Sequence, residues 1–181
     1  LVARDTYHLC GNTGQNCQAP TRMLVPASRM EEAAAAAVAT MERVRVGDPT
    51  DPETEVGPVV SEAQFARVQG YIQKGTDEGA TLRTGGLGRP AGLSRGYFVK
   101  PTVFADVDND MTIAREEIFG PVLSLIQYAD EDEAVEIANR TEYGLAAYVS
   151  SDDPEHAAEV GRRIRAGNVY LNGGHGDMSA P

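Results

Sequence analysis

The sequence is poor in cysteine, with only Cys10 and Cys17 among 181 residues. The two thiols lie close together in the chain, and no further cysteine is present to extend a disulfide framework. A small scaffold stapled by disulfides is therefore excluded, and both residues are expected to be free thiols. Free thiols are typical of a reducing compartment, so a cytoplasmic location is expected.

Basic residues and long apolar runs are also scarce. The chain has 16 Lys and Arg against 27 Asp and Glu, which gives a formal net charge of -11. Nucleic acids and anionic membranes bind clustered basic residues, so neither is expected as a partner. No apolar run approaches the roughly 18 residues of a membrane-spanning helix. The three histidines have no ligand spacing, so no metal site is expected.

The apolar runs that are present predict an α/β fold. The second half of the chain alternates strand and helix patterns, which indicates parallel strands joined by helical crossovers. The expected architecture is an open, mostly parallel twisted sheet with flanking helices. The predicted strands include residues 23–25, 97–99, 102–104, 122–126, 145–149 and 168–172.

Two helix starts carry the pattern of a capping box. Ser28 is followed three residues later by Glu31, and Ser61 is followed at the same spacing by Gln64. In such a box the serine accepts a hydrogen bond from a backbone N–H of the first helical turn. Separately, Pro101 places the extended residues around it at a sheet edge or in a hairpin arm.

Cys17 is the first candidate for chemistry. It lies in the loop 11–19, among Gly, Asn and Gln, whereas a structural cysteine usually lies among apolar side chains. A thiolate attacks carbonyl carbon, and nearby backbone N–H groups can stabilise the resulting oxyanion. A buried structural thiol is the alternative, and packing is the expected role of Cys10. A histidine partner, His8 or His175, would instead suggest a thiol hydrolase.

The second candidate is the segment 116–121, with sequence Glu-Glu-Ile-Phe-Gly-Pro. Two adjacent acids followed by an aromatic residue could bind sugar hydroxyls and cover a planar ring. On composition alone, a solvated acid pair ahead of a buried strand is the favoured interpretation. The pattern by itself therefore assigns no ligand.

Together these two segments resemble a known family. Residues 14–19, preceded by Asn12 and followed by Arg22, resemble the catalytic-cysteine signature of the NAD(P)-dependent aldehyde dehydrogenase superfamily. Residues 116–122 resemble its second signature. Further matches follow in family order, so that the resemblance covers essentially the whole chain: 57–58, 96–98, 101–103, 143–146 and 167–172.

The resemblance implies a role for each matching residue. Cys17 takes the position of the nucleophile, and its backbone N–H would be one donor of an oxyanion hole. Glu117 matches the residue that binds the nicotinamide ribose, and Phe119 matches one that contacts the nicotinamide. Gln64 falls near a cofactor ribose, and Asn172 borders the aldehyde. The implied cofactor is NAD or NADP, and the implied substrate is a small-molecule aldehyde.

The implied reaction is oxidation of the aldehyde through a Cys17 thiohemiacetal and thioester, with hydride transfer to NAD(P). In the family, the cofactor domain and the general base belong to an upstream half. Residues 1–181 are therefore expected to be a catalytic domain truncated at both ends, inactive alone, within a full-length homo-oligomer. A cysteine-dependent hydrolase or acyl-transfer enzyme and a non-catalytic assembly domain are the alternatives.

Overall fold

A computed structural model of the chain describes residues 1–174. It has an α/β fold, as predicted, and comprises two compact units, Leu1–Tyr128 and a second that begins at Ala129. In the described part of the chain, no helix combines the length and the apolarity that crossing a bilayer requires.

The first unit contains four helices and a four-stranded sheet. Two short 3-10 turns, Gly11–Gly14 and Ala27–Arg29, supplement them. The helices are α1 Val2–Cys10, α2 Met30–Arg43, α3 Glu62–Asp77 and α4 Thr112–Arg115. The strands are β1 Arg22–Pro26, β2 Thr81–Thr84, β3 Thr102–Ala105 and β4 Val122–Tyr128.

The strand order in this sheet is β1-β4-β3-β2. Strands β1 and β3 both run parallel to β4, and only β2 is antiparallel to its neighbour β3. The mostly parallel sheet is thus confirmed. Its core forms where apolar strand residues meet helices α1 and α2, and the buried alanines of α2 let the backbone of that helix lie close. The buried residues of this core include Leu9, Ala34, Ala37, Met41, Val25, Val103, Leu123 and Leu125.

The segment around Pro101 only partly follows its prediction. Strand β3 lies inside the sheet, so the edge position is wrong, whereas the hairpin arm is right because β3 pairs antiparallel with β2. Pro101 precedes the first strand residue, where its missing N–H is not needed for the ladder. The strand predicted at 97–99 does not form. Instead, the Tyr97 carbonyl accepts a hydrogen bond of 3.0 Å from the Val59 N–H in a neighbouring loop.

The second unit contains helices α5 Glu131–Asn139 and α6 Pro154–Arg163 and strands β5 Ala146–Val149 and β6 Asn168–Leu171. Strands β5 and β6 pair in parallel with α6 as the crossover, as predicted. Strand β4, expected to continue the same run, pairs with β1 and β3 in the other sheet.

Of the two predicted serine caps, only the second forms. The Ser61 hydroxyl accepts a hydrogen bond of 3.2 Å from the Gln64 N–H and caps α3. Ser28 is not a cap, because the residues 27–29 form a 3-10 turn and Arg29 becomes the N-cap of α2, without a capping hydrogen bond from its side chain. The start of α2 is supported instead by an exposed Arg29–Glu32 ion pair.

The two serines form a matched pair for mutation. We expect Ser61→Ala to lower the free energy of unfolding by about 1 kcal/mol, because α3 loses its N-cap. Ser28→Ala removes an equally small hydroxyl that caps nothing, so its effect should be within about 0.5 kcal/mol. Urea denaturation followed by circular dichroism measures both, and equal losses in the two variants would contradict the assignment of the cap.

Candidate active site

Cys17 occupies a tight turn that leaves it accessible. The Asn16 carbonyl accepts a hydrogen bond of 3.0 Å from the Ala19 N–H, and the Asn16 Oδ1 accepts one of 2.9 Å from the Gln18 N–H. Cys17 itself is exposed. None of the described residues accepts a hydrogen bond from its backbone N–H. The thiol and a backbone donor of the same residue are therefore both available to a reactant.

The residues just before this turn are conformationally strained. Asn12, Thr13 and Gly14 have φ angles of 50°, 60° and 71°, all in the left-handed region. A β-branched residue such as threonine is rare there, because its side chain crowds the backbone. Hydrogen bonds fix the segment from within: the Asn12 Nδ2 donates to the Gln15 carbonyl at 2.9 Å, and the Gln15 Nε2 donates to the Asn12 carbonyl at 3.2 Å.

The neighbouring loop 57–60 supports the same segment from outside. The Thr13 hydroxyl donates to the Gly57 carbonyl at 3.3 Å. The Gln15 Oε1 accepts from the Val60 N–H at 2.9 Å, so that this one side chain bonds both its own loop and its neighbour. These contacts offset the strain of the left-handed residues. They thereby fix the backbone that leads into the turn of Cys17.

Gly14 brings the two predicted motifs together. A Cβ atom built on Gly14 would lie 2.2 Å from the carbonyl carbon of Gly120 and 2.5 Å from the Pro121 nitrogen. Gly120 is also close to α3, since a Cβ built on Gly120 would lie 2.6 Å from the Cγ2 of Val68. The backbone of the cysteine loop therefore packs directly on the backbone that follows Phe119, and Gly120 in turn rests on α3.

Helix α3 also fixes the segment 116–120 by hydrogen bonds. The Gln64 Nε2 donates to the carbonyls of Ile118 at 3.1 Å and Phe119 at 2.7 Å. The Arg67 guanidinium donates to the Glu117 carbonyl at 2.8 Å. Both hydrogens of the Gln64 amide are thus used in positioning this segment. Contact of Gln64 with a cofactor ribose stays a prediction. The amide oxygen of Gln64 is the group that remains for such a contact.

Binding of a nicotinamide ribose by the segment 116–120 stays a prediction, and the exposure of its side chains is compatible with it. Glu117 is exposed, and a carboxylate has enough lone pairs to accept hydrogen bonds from ribose hydroxyls. Phe119 is half-buried, with φ 56°, and offers an apolar ring two residues away. Because its carbonyls are held by α3, the backbone of this segment is fixed before any ligand arrives.

Cys10 has the packing role predicted for it. Its buried thiol donates to the Thr6 carbonyl at 3.6 Å and lies 3.4 Å from the Met41 sulfur. Burial, with a smaller contribution from the Glu55 charge, raises the pKa of this thiol to about 12. Cys10 is therefore protonated at neutral pH and unreactive, since the thiolate is the nucleophilic form.

A histidine partner for Cys17 is not found in the part of the chain that the structure describes. None of residues 1–174 forms a hydrogen bond with the Cys17 thiol, so the pairing with His8 is not made. His175, the other predicted partner, lies outside the described residues. His8 instead borders a cavity of about 320 Å³, which is lined by Arg4, Tyr7, His8, Cys10, Gly11 and Glu55.

Asn172 lies in the second unit, directly after β6. Its N–H donates to the Val149 carbonyl at 2.8 Å, and its Oδ1 accepts from the Ser151 N–H at 2.8 Å. These bonds tie together the carboxyl ends of the two parallel strands β5 and β6. Contact with an aldehyde stays a prediction for this residue. Across residues 1–174 the structure contains no group of three acidic, histidine or cysteine side chains able to hold a metal ion.

The model of the aldehyde dehydrogenase family matches residues 2–181. The chain belongs to the aldehyde dehydrogenase family. Among its curated relatives, the 3-succinoylsemialdehyde-pyridine dehydrogenase of a Pseudomonas species is 51% identical over 170 residues. That match covers 94% of this chain and 36% of the relative.

Solved structures of the family share the fold. A mutant of aldehyde dehydrogenase C from Pseudomonas syringae, complexed with NAD+ and octanal, is 50% identical with a TM-score of 0.97, and the match covers 99% of this chain and 37% of that one. Aldehyde dehydrogenase from Mycobacterium tuberculosis, complexed with NAD+, is 47% identical with a TM-score of 0.94. That match covers 98% of this chain and 36% of the other. The chain therefore spans about a third of the length of these family members.

The two thiols should differ in reactivity. At pH 8 we expect iodoacetamide to alkylate Cys17 and to leave Cys10 unmodified. With a pKa of about 12, only about one Cys10 thiol in ten thousand is ionised at that pH. Peptide mass spectrometry identifies the labelled residue, and labelling in guanidinium provides the control in which both thiols react. Labelling of Cys10 before Cys17 in the folded chain would contradict this assignment.

Contact between the two loops can be tested at Gly14. We expect Gly14→Ala to lower the free energy of unfolding by at least about 2 kcal/mol, because the methyl group overlaps the Gly120 backbone at a left-handed position. Gly11→Ala is the matched control, since nothing lies within 4 Å of its Cβ and its φ is -53°. Urea denaturation measures both, and a Gly14→Ala variant as stable as Gly11→Ala would exclude the close contact.

Proposed function

We propose that this chain is the catalytic domain of a longer NAD(P)-dependent aldehyde dehydrogenase, with Cys17 as the nucleophile. The observation that carries the proposal is the contact of Gly14 with Gly120, which places the accessible cysteine loop against the segment of Glu117 and Phe119. One loop offers a nucleophile for an aldehyde, and the other fits the ribose end of a nicotinamide.

The residues of this chain account for the covalent part of the reaction. The Cys17 thiolate adds to the aldehyde carbon, forming a C–S bond while the carbonyl π electrons move to the oxygen. The backbone N–H of Cys17 donates to that oxyanion, a contribution of about 3 kcal/mol to lowering the barrier. Loss of hydride converts the thiohemiacetal to a thioester. Water then cleaves the C–S bond of the thioester, which releases the carboxylic acid and the thiol, and loss of the thiol proton to solvent restores the thiolate.

Glu117, Phe119 and the amide oxygen of Gln64 are the residues proposed to hold the cofactor. When bound there, NAD(P) supplies a hydride acceptor. The two structural neighbours complexed with NAD+ support this cofactor, and the octanal in one of them supports an aldehyde substrate. Asn172 is proposed to border the aldehyde. A homo-oligomeric state is proposed for the full-length protein from the family resemblance, and the two free thiols suit the reducing cytoplasm.

The nucleophile is tested in the full-length protein with octanal and NAD or NADP. We expect Cys17→Ala to lower kcat for octanal oxidation by at least about a thousandfold, because no covalent intermediate can form. Cys10→Ala, which removes the packing thiol, is the matched control and should keep most of the activity. NADH or NADPH formation at 340 nm measures both variants.

Three results would contradict the proposal. Undiminished octanal oxidation by Cys17→Ala would exclude the nucleophile. Ester hydrolysis lost in Cys17→Ala, in a protein that oxidises no aldehyde with either cofactor, would favour the cysteine-dependent hydrolase. A native protein without either activity, whose Cys17 resists iodoacetamide at pH 8, would favour the non-catalytic assembly domain.

A further inference from the structure

One face of α3 follows the segment 116–119 residue by residue. Gln64, Arg67 and Tyr71 are spaced three and four apart, so their side chains emerge on the same side of the helix. Gln64 bonds the carbonyls of residues 118 and 119, Arg67 bonds that of residue 117, and Tyr71 bonds residue 116. The helix and the segment therefore run in opposite directions, and three side chains of α3 bond the four residues of the segment.

Tyr71 bonds the first residue of the segment, Glu116. Its hydroxyl donates to the Glu116 Oε2 at 2.8 Å and accepts from the Arg67 Nη2 at 3.1 Å. The Arg67 guanidinium also lies 5.2 Å from the centre of the Tyr71 ring. Arg67, Tyr71 and Glu116 thus form a relay of charge-assisted hydrogen bonds that ends on a carboxylate. The carboxylate belongs to the residue immediately before Glu117.

This relay acts at the point where regular structure ends. Glu116 is the C-cap of the single-turn helix α4, with an extended backbone, and no helix or strand begins again before Val122. At the far end, the Val122 N–H donates to the Gly120 carbonyl at 2.8 Å, and Gly120 packs on Val68. The Tyr71–Glu116 bond fixes the near end. Between these two ends lie Glu117 and Phe119.

We infer that Tyr71 and Glu116 are positioning residues for the cofactor site. They hold the entry of the segment so that the Glu117 carboxylate stands ready for a ribose of bound NAD(P). A carboxylate carried by a backbone that is fixed before binding loses less conformational freedom when the ligand arrives, and affinity rises accordingly. Neither residue touches the reacting atoms in this role. The inference rests on the proposed function, because it assigns support for that same site.

The test uses the full-length protein and NADH as the binding probe. We expect Tyr71→Phe to raise the Kd for NADH about three- to tenfold, the range expected for one lost hydrogen bond. The KM for NAD should rise with it, while kcat for octanal oxidation changes less. Tyr97→Phe removes a hydroxyl outside the relay and is the control with unchanged Kd. Glu116→Gln retains an acceptor for Tyr71 and should bind NADH better than Glu116→Ala.

Hydrogen–deuterium exchange of the peptide that contains residues 116–121 provides a readout without cofactor. Faster exchange there in Tyr71→Phe than in Tyr97→Phe is expected in the ligand-free protein. Unchanged NADH affinity in Tyr71→Phe, or equal weakening in Tyr97→Phe, would overturn the inference while leaving the proposed function intact. Failure of the native protein to bind NADH or NADPH would instead overturn the proposed function, and the inference with it.

Discussion

The arrangement of the candidate active site depends on a contact between two glycines. Gly14 meets the carbonyl of Gly120 so closely that no Cβ atom fits between them, and Gly120 meets Val68 in the same way. Larger residues would push the loops apart by a side-chain diameter. The contact therefore sets the distance between the loop of the nucleophile and the segment proposed to hold the cofactor, and α3 supports that segment.

Other parts of the first unit hold the cysteine loop in the strained conformation that this contact requires. The cysteine loop passes through three left-handed residues, two of which carry side chains. Such a path persists only where neighbouring groups determine it, and here they are the loop 57–60 and the reciprocal Asn12–Gln15 bonds. Strand β4, parallel to both of its neighbours, begins directly after Pro121 and links the segment to the core.

The sequence predicted correctly those features that depend only on residues near each other in the chain. Ser61 caps α3 because the cap needs only the residues that follow it, whereas Ser28 fails because a 3-10 turn intervenes. The motifs of Cys17 and Glu117 were identified by resemblance, but their proximity depends on packing between distant parts of the chain. The left-handed Thr13 could not be predicted, since its branched side chain disfavours that conformation. The hydrogen bonds from Gln64 to the carbonyls of Ile118 and Phe119 likewise could not be predicted, because they join residues that are far apart in the chain.

The way in which α3 supports its segment has a consequence for sequence divergence. Gln64 and Arg67 bond main-chain carbonyls, which every residue possesses, and these bonds leave the identity of the exposed side chain at position 117 unspecified. The shape of the backbone and the chemistry that it presents are thus encoded by different residues. Substitutions at position 117 can alter the preference for a ligand while the scaffold persists. Changes on the face of α3 would instead affect every ligand at once.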